Sequence, residues 1–298
     1  MQAAGVNRIF GCGNGWGQTA LSDRKNHPRY THPKRYYLDN FRILSDTILE
    51  AGDYASAEQS KVGRRFKADG SVLTETDLTI DKLLSRKIEE LFPESNVISE
   101  EYSANFTPGK EYTFAIDPID GTDSYSQGMP GWCVAVGILD QELKPVGGIV
   151  YAPRWGADKE RGIHLCALPG EEVLLNGQAL PAPIEEESGS LQIMISSKLH
   201  RVFEISSFPG KVRSIGSSIL HLIAPLVHTG IDGAVLAPCY IWDIAAAHGI
   251  LGRTHIKVEE LPGNEIDYSV LVHRQKMKNH IVAGSLETIA RIRQYLTA

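Results

Sequence analysis

The hexapeptide Asp117-Pro118-Ile119-Asp120-Gly121-Thr122 constrains this chain more than any other stretch. An apolar run, Tyr112-Thr113-Phe114-Ala115-Ile116, reads as a short strand that empties directly into two carboxylates. Pro118 fixes φ and cannot donate to a sheet ladder, so the strand is expected to stop there. Gly121 lets the backbone approach a ligand closely, and Thr122 sets a hydroxyl beside the acids. Two carboxylates about 4 Å apart repel by roughly 4 kcal/mol at an effective dielectric near 20. A fold accepts that if one acid is protonated, or if a cation neutralises both. Taken alone, the same six residues also make an ordinary solvated turn. Their company elsewhere in the chain decides between the two.

That company is acidic. Ile98-Ser99-Glu100-Glu101 is an apolar strand end followed by two acids. Val72-Leu73-Thr74-Glu75-Thr76-Asp77 precedes Leu78, Ile80, Leu83, Leu84, Ile88 and Leu91, the spacing of an amphipathic helix that ends near Phe92-Pro93. Thr76 or Asp77 suits its N-cap. Trp242-Asp243-Ile244-Ala245-Ala246-Ala247 puts an acid at the start of a small-residue helix, where a lone Asp is usually only a dipole partner. Several segments thus deliver an acid at the end of an apolar element, without Cys or His. Oxygen-only ligation favours Mg²⁺, Mn²⁺ or Ca²⁺ over Zn²⁺.

With these residues, the sequence resembles the inositol monophosphatase family of Mg²⁺-dependent, lithium-sensitive phosphomonoesterases, from about Leu38 onward. Asp117 to Thr122 followed by Tyr125 carries the first signature and Trp242-Asp243 the second. Thr76-Asp77, Glu100-Glu101, Gly148 to Pro153, Asn176-Gly177 and Arg213 to Ser217 match in order. The resemblance implies Glu100, Asp117, the Ile119 carbonyl oxygen and Asp120 around a first Mg²⁺, with Asp117, Asp120 and Asp243 around a second. Two or three ions are implied, with Mn²⁺ as a substitute. It also implies that Thr122 and Asp77 position the attacking water, that Glu100 holds a further water, and that the amides of Gly121, Thr122 and Asp123 receive phosphate oxygens. A homodimer is implied as well. These roles are chemically coherent, because paired metals clamp the attacking and leaving oxygens of an in-line displacement.

The bounds set by composition agree. The chain has 298 residues, 42% hydrophobic and 22% charged, enough for a large core in one or two domains. A net charge of −6 argues against a general nucleic-acid binder. No apolar run approaches the roughly 18 residues of a membrane span. Cys12, Cys133, Cys166 and Cys239 are scattered without a Cys-x-x-Cys, which fits free thiols in a reducing cytoplasm.

Residues 1–37 fall outside the resemblance and are expected to be a separate N-terminal extension. Gly11, Gly13, Gly15 and Gly17 lack the preceding strand and following Lys-Ser/Thr of a phosphate loop. Residues 38–184 are expected to form an α+β domain with the metal site, and 185–298 an α/β domain supplying Asp243 and the substrate pocket. Asp39 to about Ser60 has helical spacing, and Lys67-Ala68-Asp69-Gly70 reads as a mobile loop whose lysine could reach the phosphate or an acid of the site, with a solvated loop lysine as the favoured reading. Trp132 to Leu139 and Val146 to Ala152 read as adjacent strands, and Asn176-Gly177 as a tight hairpin. Pro181-Ala182-Pro183 with Glu185-Glu186-Glu187 reads as a linker. Leu191 to Ile195, Ala234 to Leu236 and Ile281 to Ala283 read as strands, with helices over Ser217 to Leu226 and Leu286 to Leu296. The alternation points to a layered αβαβα sandwich of the inositol monophosphatase/fructose-1,6-bisphosphatase type.

Departures from the family pattern bear on the substrate. Val235-Leu236-Ala237-Pro238 stands where inositol-binding members carry a glutamate, and Asp123 sets a negative charge near the expected phosphate. Gly216 and Ser217 are candidate substrate-pocket residues, although Ser217 equally suits a helix N-cap. The histidines have no metal-ligand company and read as core or surface residues. The leading expectation is a Mg²⁺-dependent phosphatase acting on a small phosphorylated alcohol such as an inositol, sugar or histidinol phosphate. A bisphosphate nucleotidase, with a base shelf around Tyr240 and Arg213, is a second reading. A low-turnover relative acting mainly as a protein or RNA partner is a third.

Overall fold

A computed structural model of the chain describes residues 33–102, 105–156, 162–180 and 190–296. The glycine-rich start, Cys12 and the expected linker at 181–189 lie outside the described residues. Helix α1 (Pro33–Glu58) starts a few residues before the Asp39 expected from periodicity, at a proline, which suits a first helical turn. Phe41, Leu44 and Ile48 form its buried stripe. A short antiparallel hairpin, β1 (Arg65–Phe66) and β2 (Val72–Leu73), leads into α2 (Glu75–Leu91). Ile80, Leu84 and Ile88 of α2 are fully buried, stabilising its docking by about 1.5–3 kcal/mol each.

Thr74, not Thr76 or Asp77, caps α2. Asp77 is instead the third helical residue, and its Oδ2 accepts from the Thr74 amide at 2.9 Å. The Thr74 hydroxyl accepts in return from the Asp77 amide at 3.4 Å. This reciprocal pair is a capping box, available only when the acid lies three residues beyond the cap.

The first sheet has seven strands in sequence order: β3 (Asn96–Ser99), β4 (Thr113–Asp120), β5 (Cys133–Leu139), β6 (Pro145–Ala152), β7 (Ile163–Ala167), β8 (Val173–Leu175) and β9 (Gln178–Ala179). Only β3 and β4 pair in parallel; the others are antiparallel. Asn176 and Gly177, both at positive φ, close the β8–β9 hairpin. β4 does not stop at Pro118. Its pairing with β3 ends at Ile116, so the missing proline N–H costs no ladder bond on that side. On the other side a bulge absorbs the proline, between the pairs Asp117↔Ala135 and Asp120↔Cys133.

The second sheet has five strands, β10 (Gln192–Ile195), β11 (Lys211–Arg213), β12 (Gly233–Leu236), β13 (Lys257–Glu260) and β14 (Ile281–Gly284), in the order β11-β10-β12-β14-β13. Between the sheets lie α4 (Ser218–Val227) and α5 (Ala245–Leu251), after the short α3 (Thr122–Ser126). α6 (Tyr268–Leu271) and α7 (Leu286–Tyr295) follow.

Three cores define the layers. Phe114, Ile116, Val134 and Val136 pack under α1 and α2. Ala115, Ala135, Val150 and Leu165 on the opposite face meet Leu222 and Ile223 of α4, Ala246 of α5 and Leu236 of the second sheet. Val235 and Val282 on the outer face of that sheet meet Ile289 and Ile292 of α7. The result is the αβαβα sandwich read from the sequence. α5 lies close on the first sheet because a Cβ at Gly148 would sit 2.1 Å from the Ala246 carbonyl oxygen. That approach brings the segment before α5, with Asp243, to the end of β4.

Candidate metal centre

Four elements deliver acids to one place: the end of β4, the residue after β3, the first turn of α2 and the approach to α5. Residues three apart on a regular strand face opposite sides. The β4 bulge sets Pro118 and Ile119 against Val134 alone on β5, which returns Asp120 to the side of Asp117. One carboxylate oxygen from each of Asp117, Asp120 and Asp243 can be chosen so that all lie within 4.8 Å of one another. Asp117 and Asp120 are buried, and Asp243 is half-buried.

The three acids are held differently. Asp120 accepts from the Ile219 amide at 2.7 Å, from the Ser218 amide at 3.2 Å and from the Ser217 hydroxyl. These donors are the N-terminal end of α4, where the helix dipole favours an anion. Asp243 accepts from the Tyr240 amide at 2.7 Å. Asp117 Oδ1 is buried with no hydrogen-bond partner among the described residues.

Burial and mutual repulsion push the carboxyls up. Asp117 lies well above the usual range through burial and then the charges of Glu100, Asp120 and Asp243. Asp243 is raised well above it by burial, Asp120 and Glu100. Asp120 is raised to about 6 by burial, offset by its Ser217, Ile219 and Ser218 bonds. An orphaned buried carboxylate oxygen among clustered acids is the arrangement a hard divalent cation relieves, and the oxygen-only donor set fits Mg²⁺ or Mn²⁺.

Around this cluster, the Thr122 hydroxyl lies 3.1 Å from Asp77 Oδ1 and 2.9 Å from the Ile119 carbonyl oxygen. Asp77 is fully buried, which raises it to about 6 against its bonds to Thr74 and Thr122. Gly121 precedes α3 at φ 92, and a Cβ there would sit 2.7 Å from the Gly131 carbonyl oxygen. Only glycine fits that turn.

Other positions differ from the expectations. Of the two readings of Lys67, the contact with an acid holds and the solvated lysine does not: its Nζ is 2.8 Å from Glu100 Oε1 and 2.6 Å from Glu101 Oε1. Burial would lower Lys67, but Glu100 and Glu101 more than offset it and hold the ammonium charged. Glu100 is raised to about 7 by burial, against the pull of Lys67. Glu100 therefore stands beside the three-aspartate group with Lys67 as its partner. Asp123 is exposed and its charge is matched by Arg64. Ser217, after Gly216, is fully buried, donates to Asp120 and caps α4 by accepting from the Leu220 amide at 3.1 Å. It is a structural cap and a support for Asp120, with no surface open to a substrate. Arg213 is exposed at the end of the edge strand β11.

Tyr240 stacks on Trp242 at 4.8 Å between ring centroids, with Lys276 over Tyr240 and Arg274 over Trp242. Neither cation was expected from the sequence, since no local pattern marks them. His221 is buried and His248 half-buried, and desolvation pushes both down to about 4, as core histidines. Cys133, Cys166 and Cys239 are buried free thiols.

A layered αβαβα molecule with acids clustered at the bulged end of a strand belongs to a class built around divalent cations. The family model described as inositol monophosphatase family matches residues 44–290, so the chain belongs to that family. It is a phosphoric monoester hydrolase, a metal-dependent phosphatase of small phosphorylated substrates. It is similar to protein qutG of Emericella nidulans, 25% identical over 248 residues that cover 72% of this chain and 74% of that protein. It is also similar to a fructose-1,6-bisphosphatase of Pyrococcus furiosus, 31% identical over 195 residues, 64% of this chain and 71% of that protein. A solved IMPase/NADP phosphatase complexed with Mg²⁺ and phosphate shares the fold, with TM-score 0.70 and 17% identity over 86% of this chain and 95% of that one.

Proposed function

We propose that this chain hydrolyses the phosphate ester of a small alcohol, an inositol or sugar phosphate, using Mg²⁺ held by Asp117, Asp120 and Asp243. The observation that carries this is the unpartnered, buried Asp117 Oδ1 within a group of three converging aspartates. Glu100 and the Ile119 carbonyl oxygen complete the donor set in this reading. Bound there, the cations would neutralise phosphoryl charge and make water acidic enough to attack near neutral pH. The Thr122 hydroxyl donates a hydrogen bond to Asp77 Oδ1, which leaves the Thr122 Oγ1 lone pairs to accept from a water and fix its direction of approach. The amides of Gly121, Thr122 and Asp123, at the start of α3, would receive phosphate oxygens. The relative solved with Mg²⁺ and phosphate supports the choice of ion and ligand.

The two separate sheets support treating 38–184 and 185–298 as two domains, and the buried free thiols support a reducing cytoplasm. A homodimer belongs to the same reading and would show as twice the chain mass in light scattering. Lithium at millimolar concentration would inhibit by competing at the second cation position.

The stacked Tyr240 and Trp242 beneath Lys276 favour one further reading, a nucleotide whose base or second phosphate meets that rim. A phosphate-release screen with Mg²⁺ over inositol, sugar and histidinol phosphates and an adenosine bisphosphate separates the two. Turnover of a polyol phosphate, lost in Asp120→Asn and Thr122→Ala, supports the first reading. Turnover confined to the bisphosphate supports the second, and turnover of none overturns both.

A further inference from the structure

Arg274 is remote in sequence from every acid of the site, yet it touches both sides of it. Its Nη1 donates to the Ser99 carbonyl and, at 2.8 Å, to the Tyr102 carbonyl. Its Nη2 donates to the Glu100 carbonyl at 3.0 Å. Its guanidinium carbon lies 4.8 Å from the centroid of the Trp242 ring, directly before Asp243. One planar group therefore grips the loop that carries Glu100 and Glu101 and rests on the residue that precedes Asp243. Arg274 itself has φ 57, an uncommon conformation for a residue with a side chain, and it closes the turn after α6, its amide donating to the Leu271 carbonyl at 2.9 Å.

The chemistry of the contact suits alignment. A guanidinium presents its donors in a rigid fork, whereas an ammonium is a point charge on a flexible stem. Three carbonyls on one loop, met by one fork, fix the direction of that loop as well as its distance. Other ties hold parts of the same loop: the Glu100 amide donates to the Ile116 carbonyl at 3.2 Å, Lys67 meets the Glu100 and Glu101 carboxylates, and Phe106 packs edge-on against His273 at 5.7 Å. Without the fork, Glu100 keeps its Lys67 partner, while its backbone carbonyl loses the direct bond to the residue that rests on Trp242.

We propose that Arg274 is a positioning residue that holds the Glu100 loop in register with Asp243, and so sets the affinity of the site for divalent cations and not the rate of the chemical step. This rests on the metal centre proposed above. Partners that orient metal ligands are typically worth about 10–100-fold in metal affinity or activity.

The test is calorimetric titration of the full chain with Mn²⁺, for the unsubstituted protein, Arg274→Lys and Arg274→Ala, beside Arg253→Ala. Arg253 is the control, since it also serves two backbone carbonyls, Glu171 at 2.7 Å and Val146 at 3.0 Å, but lies apart from the acids. The expected result is a Kd for Mn²⁺ raised about 10–100-fold in both Arg274 variants and unchanged in Arg253→Ala. In assays, the Mg²⁺ needed for half-maximal activity should rise similarly in Arg274→Lys, with kcat restored at saturating Mg²⁺. Unchanged Mn²⁺ affinity in a folded Arg274→Lys overturns the inference, as does a kcat that saturating metal fails to restore. If the unsubstituted protein binds no Mn²⁺, the metal centre itself fails, a result distinct from equal binding by all variants.

Discussion

Asp120 accepts a hydrogen bond from the Ile219 amide at 2.7 Å, across 99 positions of sequence. The bond fastens the acid at the end of β4 to the start of α4, so one carboxylate is both a cation ligand candidate and a joint between the layers. Asp120→Asn keeps an oxygen for the Ile219 amide while removing the charge. The variant should fold, with thermal stability close to that of the parent in the absence of metal. Its activity should fall by at least about 100-fold, beyond what loss of a mere supporting contact costs. Paired calorimetric scans and phosphate-release assays check both halves.

Thr122 and Asp77 separate orientation from metal binding. Thr122→Ala should lower kcat by about 10²–10⁴-fold, the range for positioned proton-transfer groups, while Mn²⁺ affinity stays near that of the parent. Thr122→Ser, which retains the hydroxyl 3.1 Å from Asp77, should recover most of the loss. A Thr122→Ala protein with full kcat would remove the hydroxyl from the reaction.

The linkage between pH and metal has a definite sign. Asp77 and Asp120 stand at about 6 and Glu100 at about 7 in the folded protein, above their ordinary 3.8 and 4.5. Groups raised in this way stabilise the metal-free fold fully below the ordinary values, and that contribution disappears as pH rises through about 6 to 7. Cation binding needs the ionised forms. The rise in Tm caused by Mg²⁺ should therefore grow between pH 5 and pH 8. His221 and His248, depressed to about 4, are already neutral in the fold across this range. A Tm increment that is flat or shrinking over this range would contradict the assignment of these acids.

Lys67 supplies the positive charge that meets the Glu100 and Glu101 carboxylates directly. Lys67→Met should lower the metal-free Tm, because it leaves Glu100 and Glu101 without their shared partner. The gain in Tm on adding Mg²⁺ should become larger than in the parent. Equal Tm values with and without the substitution would mean the ion pair contributes nothing.

Gly121→Ala tests the turn. At φ 92, with the Gly131 carbonyl oxygen 2.7 Å from any Cβ, the substitution should cost at least about 1–2 kcal/mol in urea unfolding. It should also lower activity, because Thr122 follows directly.

The sequence made much of this visible because the signals were local. The apolar stripe Ile80, Leu84 and Ile88 announced α2, Asn176-Gly177 announced a hairpin, and each acid stood at the end of an apolar run. What was hidden depended on the third dimension. Pro118 looked like a strand terminus, but a bulge against β5 carries the strand through it to Asp120. Thr74 became the cap because Asp77 can reach back to it, a reciprocal fit that single-residue preferences do not show. For Lys67 the sequence left a solvated loop and a contact with an acid both open, since Glu100 stands 33 positions away and only the folded chain brings the two together. Arg274 and Lys276 had no pattern at all; their role comes from a loop of the second sheet reaching Trp242 and Tyr240.

The most direct measurement is titration of metal-free protein with Mn²⁺, followed by electron paramagnetic resonance, in the parent and in Asp117→Asn and Asp243→Asn. The expected result is saturable binding in the parent that is strongly weakened in each variant, although Asp117 and Asp243 lie 126 positions apart in sequence. Binding of equal strength in all three proteins, or none in the parent, would contradict a cation centre built from these aspartates.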